Sequence, residues 1–146
     1  MAHRYPVNWD EFYRNARALA WRLNENQTWK GMVAITRGGL VPAAVVAREL
    51  GIRKIDTISI VSYDEEDQQI HPVILKSCQM EDYGKGWLVV DDLVDTGTTA
   101  KIVREILPQA HIAAIYAKPY GKGHVDSFMT EVSQDTWIVF PWENEI

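Results

Sequence analysis

A continuous apolar run, Trp87-Leu88-Val89-Val90, passes without a break into Asp91-Asp92-Leu93-Val94-Asp95-Thr96-Gly97-Thr98-Thr99, and no other stretch restricts this chain as much. A strand with no polar face has to be covered on both sides, which is the condition of a strand inside a parallel sheet. A helix is expected after the threonines, ended by Pro108, which has no N–H to continue the ladder. The same order recurs upstream: Met32-Val33-Ala34-Ile35 runs into Arg37-Gly38-Gly39, and residues 41–50 read as a helix closed by Gly51. Residues 55–61, 112–116 and 136–139 supply further strands. Strands alternating with helices indicate an α/β fold, a mainly parallel sheet flanked by helices, within a single domain over residues 1–146. Ligands of such sheets gather beyond the carboxyl ends of the strands. Both glycine-bearing turns, 37–39 and 91–99, are expected at that edge.

Trp9, Phe12, Tyr13, Ala16, Leu19, Ala20 and Leu23 recur at helical steps after Asn8, a suitable cap. This helix reads as packing. In contrast, Tyr63-Asp64-Glu65-Glu66-Asp67-Gln68-Gln69 offers nothing to a core and is expected as an exposed, mobile loop.

The composition closes off several classes of function. Cys78 is the only cysteine, so an internal disulfide and a thiolate zinc cluster are both excluded. His3, His71, His111 and His124 follow no ligand spacing. A net charge of −5 opposes a duplex nucleic-acid surface, which needs a basic face. No apolar run approaches the roughly 20 residues that span a bilayer, and the first residues lack a secretory apolar stretch. A cytoplasmic location is therefore expected, without nucleic-acid partners.

The chemistry concentrates in residues 91–99. Backbone N–H groups of the turn, the hydroxyls of Thr96, Thr98 and Thr99, and the positive end of the following helix make a phosphate cradle. Gly97 lets backbone approach the phosphate closely. Asp91 and Asp92 can accept from a pair of sugar hydroxyls or hold Mg²⁺ through water. The blander possibility, acids and threonines that merely cap a helix, explains neither the paired acids nor the threonine run. Taken by residue type alone, Lys118 is a solvent-facing lysine, Trp137 and Trp142 are core tryptophans, and Arg37-Gly38-Gly39 is a plain turn.

The 91–97 stretch resembles the phosphoribosyl pyrophosphate (PRPP) signature of the type I phosphoribosyltransferases. Trp29-Lys30-Gly31, Arg37-Gly38-Gly39-Leu40-Val41-Pro42, Ala47-Arg48-Glu49-Leu50-Gly51-Ile52-Arg53, Ser62-Tyr63-Asp64, Ala117-Lys118-Pro119 and Gln134-Asp135-Thr136-Trp137-Ile138 extend the likeness over nearly the whole chain. It is similar to the bacterial purine branch of that family. The resemblance implies transfer of 5-phosphoribose from PRPP to guanine or xanthine, and in some relatives hypoxanthine, giving GMP, XMP or IMP and pyrophosphate. It also implies a flexible lid, a small base-binding hood, Mg²⁺ as cofactor and a homo-oligomer, dimer or tetramer. Members of the branch can associate peripherally with the inner membrane, for which no basic amphipathic helix stands in this sequence.

Residue by residue, the resemblance assigns Arg37 and Gly38 to pyrophosphate, with a non-proline cis peptide between Thr36 and Arg37. Asp91 and Asp92 go to the ribose hydroxyls, Asp92 also to the metal, and Thr96, Gly97, Thr98 and Thr99 to the 5′-phosphate. Asp95 faces purine N7 as the catalytic base, and Lys118 donates to the 6-oxo group. Trp137 stacks on the base, and the carbonyls of Ile138 and Glu143 accept from a 2-amino group. Residues 62–75 become the lid. Gln69 stands where relatives carry a lid arginine, so weaker retention of pyrophosphate is expected. A PRPP-sensing regulator without catalysis and a hypoxanthine-preferring enzyme are the competing readings.

Overall fold

The computed structural model describes residues 3–25, 27–64 and 70–143. The chain opens with strand β1 (His3–Pro6) and helix α1 (Trp9–Asn24), whose first turn is held where the Glu11 N–H donates to the Asn8 side chain at 2.8 Å. Such a cap contributes about 1 kcal/mol. Phe12, Ala16, Leu19, Ala20 and Leu23 form its buried stripe. Strand β2 (Gly31–Thr36) and helix α2 (Leu40–Leu50) follow, and the N–H of Gly51 closes α2 on the carbonyls of Ala47 and Arg48.

Strands β3 (Ile55–Asp64) and β4 (Ile70–Lys76) pair antiparallel, and β5 (Trp87–Val94), α3 (Thr98–Ile106), β6 (His111–Ala117), β7 (Ser127–Glu131) and β8 (Thr136–Val139) complete the chain. The main sheet has six strands in the order β4-β3-β2-β5-β6-β7, parallel except for the β3/β4 pair. Side-chain alternation explains the two-sided burial. Met32, Ala34, Leu88 and Val90 pack with α1 and α2, whereas Val33, Ile35 and Val89 pack with Val103 and Leu107 at α3.

Three expectations change. The segment 62–75 is mostly not loop: β3 continues to Asp64 and β4 begins at Ile70, so a two-stranded ribbon replaces it. Pro72 is tolerated there because β4 is an edge strand. Glu65 to Gln69 lie outside the described residues, and with them the Gln69 assignment and the middle of the lid segment. Strand β5 runs on to Val94, so Asp91 and Asp92 belong to the strand itself rather than to the turn. Residues 136–139 join no parallel sheet of the main body but pair with β1 in a separate two-stranded sheet.

That small sheet is pinned by aromatic packing. Trp142 stacks on Phe140 with ring centroids 4.8 Å apart and meets Phe12 edge-on at 4.9 Å, so it is structural, as its residue type suggested. Tyr116 bridges β6 to Tyr5 and Phe140, and its hydroxyl accepts from Asn15 Nδ2 at 2.9 Å. Strand β8 is thereby fastened to α1 and to the central sheet.

Candidate active site

From β2 the chain steps to β3 on one side and later returns to β5 on the other, so the sheet changes winding direction between β2 and β5. The loops leaving the carboxyl ends of these two strands diverge, and a crevice opens there. It measures about 270 Å³ and is lined by Ile35, Asp91, Asp95 and residues 96–99, with Ser62 from β3 at its rim. That volume suits a sugar phosphate rather than a macromolecular segment.

The phosphate cradle is formed at the start of α3. Gly97 precedes the helix with φ +91°, and the Thr96 and Thr98 hydroxyls are 3.0 Å apart. Asp95, Thr96 and Thr98 face outward from this turn. A Cβ at position 97 would run into the His124 ring while sitting in backbone space that side chains avoid. The strain of Gly97→Ala, about 1–3 kcal/mol, is expected to weaken ribose 5-phosphate binding about tenfold in calorimetry. Unchanged affinity would mean that the turn does not bind the phosphate closely.

Asp91 and Asp92 sit at the end of β5, and the Asp92 N–H donates to Asp91 Oδ1 at 2.8 Å. Burial pushes the Asp91 carboxyl well above the usual carboxylate range, and the negative charge of Asp92 adds to the shift. Asp92 is raised too, first by its own burial and further by the charge of Glu143. The pair therefore carries full negative charge reluctantly in the absence of a ligand.

Residues 37–39 lie against this pair. A Cβ on Gly38 would stand 2.6 Å from the Asp92 carboxylate, so a larger residue there would have to push the acid aside. The peptide bond between Thr36 and Arg37 is cis, as the resemblance implied, and Arg37 is exposed. The turn after β2 and the acids of β5 thus form one continuous wall.

Asp95 links the crevice to the β1/β8 sheet. Lys118 Nζ, on a residue only 5% exposed, donates to Asp95 Oδ2 at 3.1 Å. Lys118 is therefore an inward-directed ammonium, not the solvent-facing lysine its residue type suggests. Trp137 reverses its residue-type expectation in the other direction, being 63% exposed while Ile138 beside it is buried. The amides of His3, in β1, and of Val7, just past it, donate to the carbonyls of Asp135 and Val139, so strand alternation turns the Ile138 carbonyl toward the open edge of β8. An apolar ring and a free acceptor are thus offered on one exposed edge.

Gln134 received no role from the sequence. Its side chain nevertheless contacts Asp95, with Nε2 donating to Oδ1 at 2.8 Å. No local pattern could have revealed a contact across 39 positions. His124, set aside as an isolated histidine, is likewise brought against Gly97. Among the described residues no group of three or more His, Cys, Asp or Glu side chains could hold a metal by itself.

Residues 7–146 match the family described as phosphoribosyl transferase domain. The chain is 56% identical over 142 residues to a xanthine-guanine phosphoribosyltransferase of Nitratidesulfovibrio vulgaris strain DP4, covering 97% of this chain and 86% of the relative. It is 55% identical over 141 residues to the xanthine-guanine phosphoribosyltransferase of Desulfotalea psychrophila, covering 97% and 87%. Among solved structures, a purine phosphoribosyltransferase from Pyrococcus horikoshii Ot3 superposes with a TM-score of 0.82 at 29% identity, covering 98% of this chain and 96% of that one. A Helicobacter pylori xanthine-guanine-hypoxanthine phosphoribosyltransferase, at 23% identity and a TM-score of 0.79 over 97% and 94% of the two chains, shares the fold.

Proposed function

We propose, starting from the fact that this chain belongs to the phosphoribosyltransferase family, that it is a purine salvage enzyme moving 5-phosphoribose from PRPP to guanine or xanthine. Hypoxanthine is the third acceptor in this reading. The observation that carries this reading is the adjacency of two sites: a phosphate cradle at residues 96–99 and, one residue before it, Asp95 paired with the buried Lys118. A cradle alone would suit any sugar phosphate. A carboxylate beside an inward ammonium suits a 6-oxopurine, whose N7 proton and 6-oxo oxygen need an acceptor and a donor.

In this reading the turn amides and threonine hydroxyls hold the 5′-phosphate, while Asp91 and Asp92 accept from the ribose hydroxyls. Arg37 and the Gly38 turn receive the pyrophosphate. Trp137 covers the base, and the carbonyls of Ile138 and Glu143 accept from the 2-amino group. Purine N9 forms its bond to the anomeric carbon as the bond to pyrophosphate breaks with its electron pair going to oxygen. Asp95 takes the proton that N7 loses. Holding both partners in line supplies much of the acceleration.

The residues present fit Mg²⁺, which usually takes one or two carboxylates together with substrate phosphates and keeps the rest of its shell as water. Asp92, with Asp91 beside it, would hold the ion, and the charge that this half-buried pair bears reluctantly would be relieved by it. When bound, Mg²⁺ neutralises charge on the departing pyrophosphate. We place the enzyme in the cytoplasm as a homo-oligomer, dimer or tetramer. Among the described residues no helix is long and apolar enough to cross a membrane.

Mixing the protein with PRPP, Mg²⁺ and guanine, xanthine or hypoxanthine in turn is expected to release pyrophosphate, with guanine among the accepted bases. Turnover with hypoxanthine alone would favour the hypoxanthine-preferring reading. No turnover with any base, together with tight PRPP binding, would favour a sensor. The Asp95–Lys118 pair speaks against that outcome, since a sensor of PRPP has no need of a base-reading carboxylate and ammonium.

A further inference from the structure

Asp95 emerges from β5 into a turn, and its side chain is half-exposed, so little packing restrains its rotation. A carboxylate that must meet one proton in one direction needs a restraint from elsewhere. Two groups supply it. Lys118 Nζ donates to Oδ2 at 3.1 Å, and Gln134 Nε2 donates to Oδ1 at 2.8 Å. The other end of the Gln134 amide is also engaged, its Oε1 accepting from the Tyr120 N–H at 2.9 Å.

We propose that Gln134 is a positioning residue for Asp95, a bridge that ties the carboxylate to the 118–122 turn and to the turn that leads into β8. The inference rests on the purine-transfer reading above and deepens it. The two restraints differ in kind. Lys118 is wanted by the 6-oxo group of an arriving base, so its hold on Oδ2 is exchangeable, and the purine N7–H can take its place there. Gln134 makes no contact that the base requires, so its hold on Oδ1 persists and keeps Oδ2 directed at N7. Because Gln134 stands three residues before Trp137, the bridge also couples the aim of the carboxylate to the strand that carries the base-covering ring.

The two ends of the amide can be separated by substitution. Gln134→Ala removes both contacts. Gln134→Glu keeps the acceptor for the Tyr120 N–H but sets a carboxylate against Asp95. Positioning predicts that Gln134→Ala lowers kcat about tenfold, the scale of one hydrogen bond to a charged group, with the PRPP KM within about twofold of wild type. Gln134→Glu is expected to lose at least as much. In an Asp95→Ala background, Gln134→Ala is expected to cost nothing further in kcat, because the group it aims is gone.

A role limited to anchoring the turn would leave Gln134→Glu near wild type, and its effects would add to those of Asp95→Ala. Either result would overturn the proposal, as would a Gln134→Ala enzyme with wild-type kcat. The wild-type assay with PRPP, Mg²⁺ and guanine is the companion arm. No turnover there would overturn the purine-transfer reading itself, whereas wild-type turnover indifferent to Gln134 would overturn only the positioning role.

Discussion

Replacing Asp95 by alanine is expected to lower kcat by about 10²–10⁴-fold, the usual range for removing a positioned acid or base, while the PRPP KM changes by less than about threefold. The split follows from where Asp95 stands. It is one residue outside the turn that receives the phosphate, and its two oxygens are engaged by Lys118 and Gln134 rather than by cradle groups. Removing the carboxylate leaves the 96–99 turn and the Asp91–Asp92 pair in place. It also leaves Lys118, 5% exposed, without its counter-charge, so some loss of stability will accompany the loss of rate. Asp95→Asn separates the two effects, since the amide fills the same space but cannot take a proton. Steady-state kinetics with PRPP and guanine decide the matter: a raised PRPP KM with intact kcat would remove Asp95 from proton handling.

Asp91→Asn is expected to make the ligand-free protein more stable and a poorer enzyme. Burial and the neighbouring Asp92 hold the folded-state affinity of Asp91 for its proton well above the ordinary carboxylate value. An unfolded aspartate titrates near about 3.9. Below that pH both states are protonated and the wild type suffers no penalty. As pH rises toward the elevated folded value, the unfolded chain releases its proton more readily, and stability is lost progressively. Asparagine never ionises, can still accept the Asp92 N–H, and removes one of two adjacent charges.

Its melting temperature, without Mg²⁺ or PRPP, should therefore exceed that of wild type at pH 7–8, by about 2–4 °C for each kcal/mol of penalty removed in a chain of this size. The gap should close as pH falls to about 4. In the assay the same variant should raise the PRPP KM about tenfold or more, through loss of a charge-assisted bond to a ribose hydroxyl. A variant equally stable at all pH values, or one that binds PRPP normally, would contradict the proposed use of this half-buried acid. A functional carboxylate maintained at a cost in stability is a common compromise at active sites.

Residues 87–99 illustrate how far local pattern reaches. The apolar run of β5, the Asn8 cap and the apolar stripe of α1 were legible because each depends on neighbours within a few positions. Strand β4 was not legible, since the polar stretch ahead of it and Pro72 within it both point to a loop. Only pairing with β3 makes it a strand. Strand β1 is similar: His3–Pro6 is a strand because β8 lies beside it in register. For the candidate site, residue type put Lys118 outside and Trp137 inside, and the fold reverses both. Family resemblance had assigned both to the base, but no spacing or periodicity around either residue pointed there.

By itself the sequence determined the βα units, the two-sided burial of the central strands and the chemical inventory of the phosphate turn. These follow from periodicity, turn chemistry and residue type, all short-range properties of the chain. The tertiary structure alone decided that Gly38 abuts Asp92, that Lys118 turns inward onto Asp95 and that Gln134 reaches the same carboxylate. Those contacts join segments tens of residues apart. They exist because the sheet reverses its winding between β2 and β5 and because aromatic packing fastens β8 to the main body.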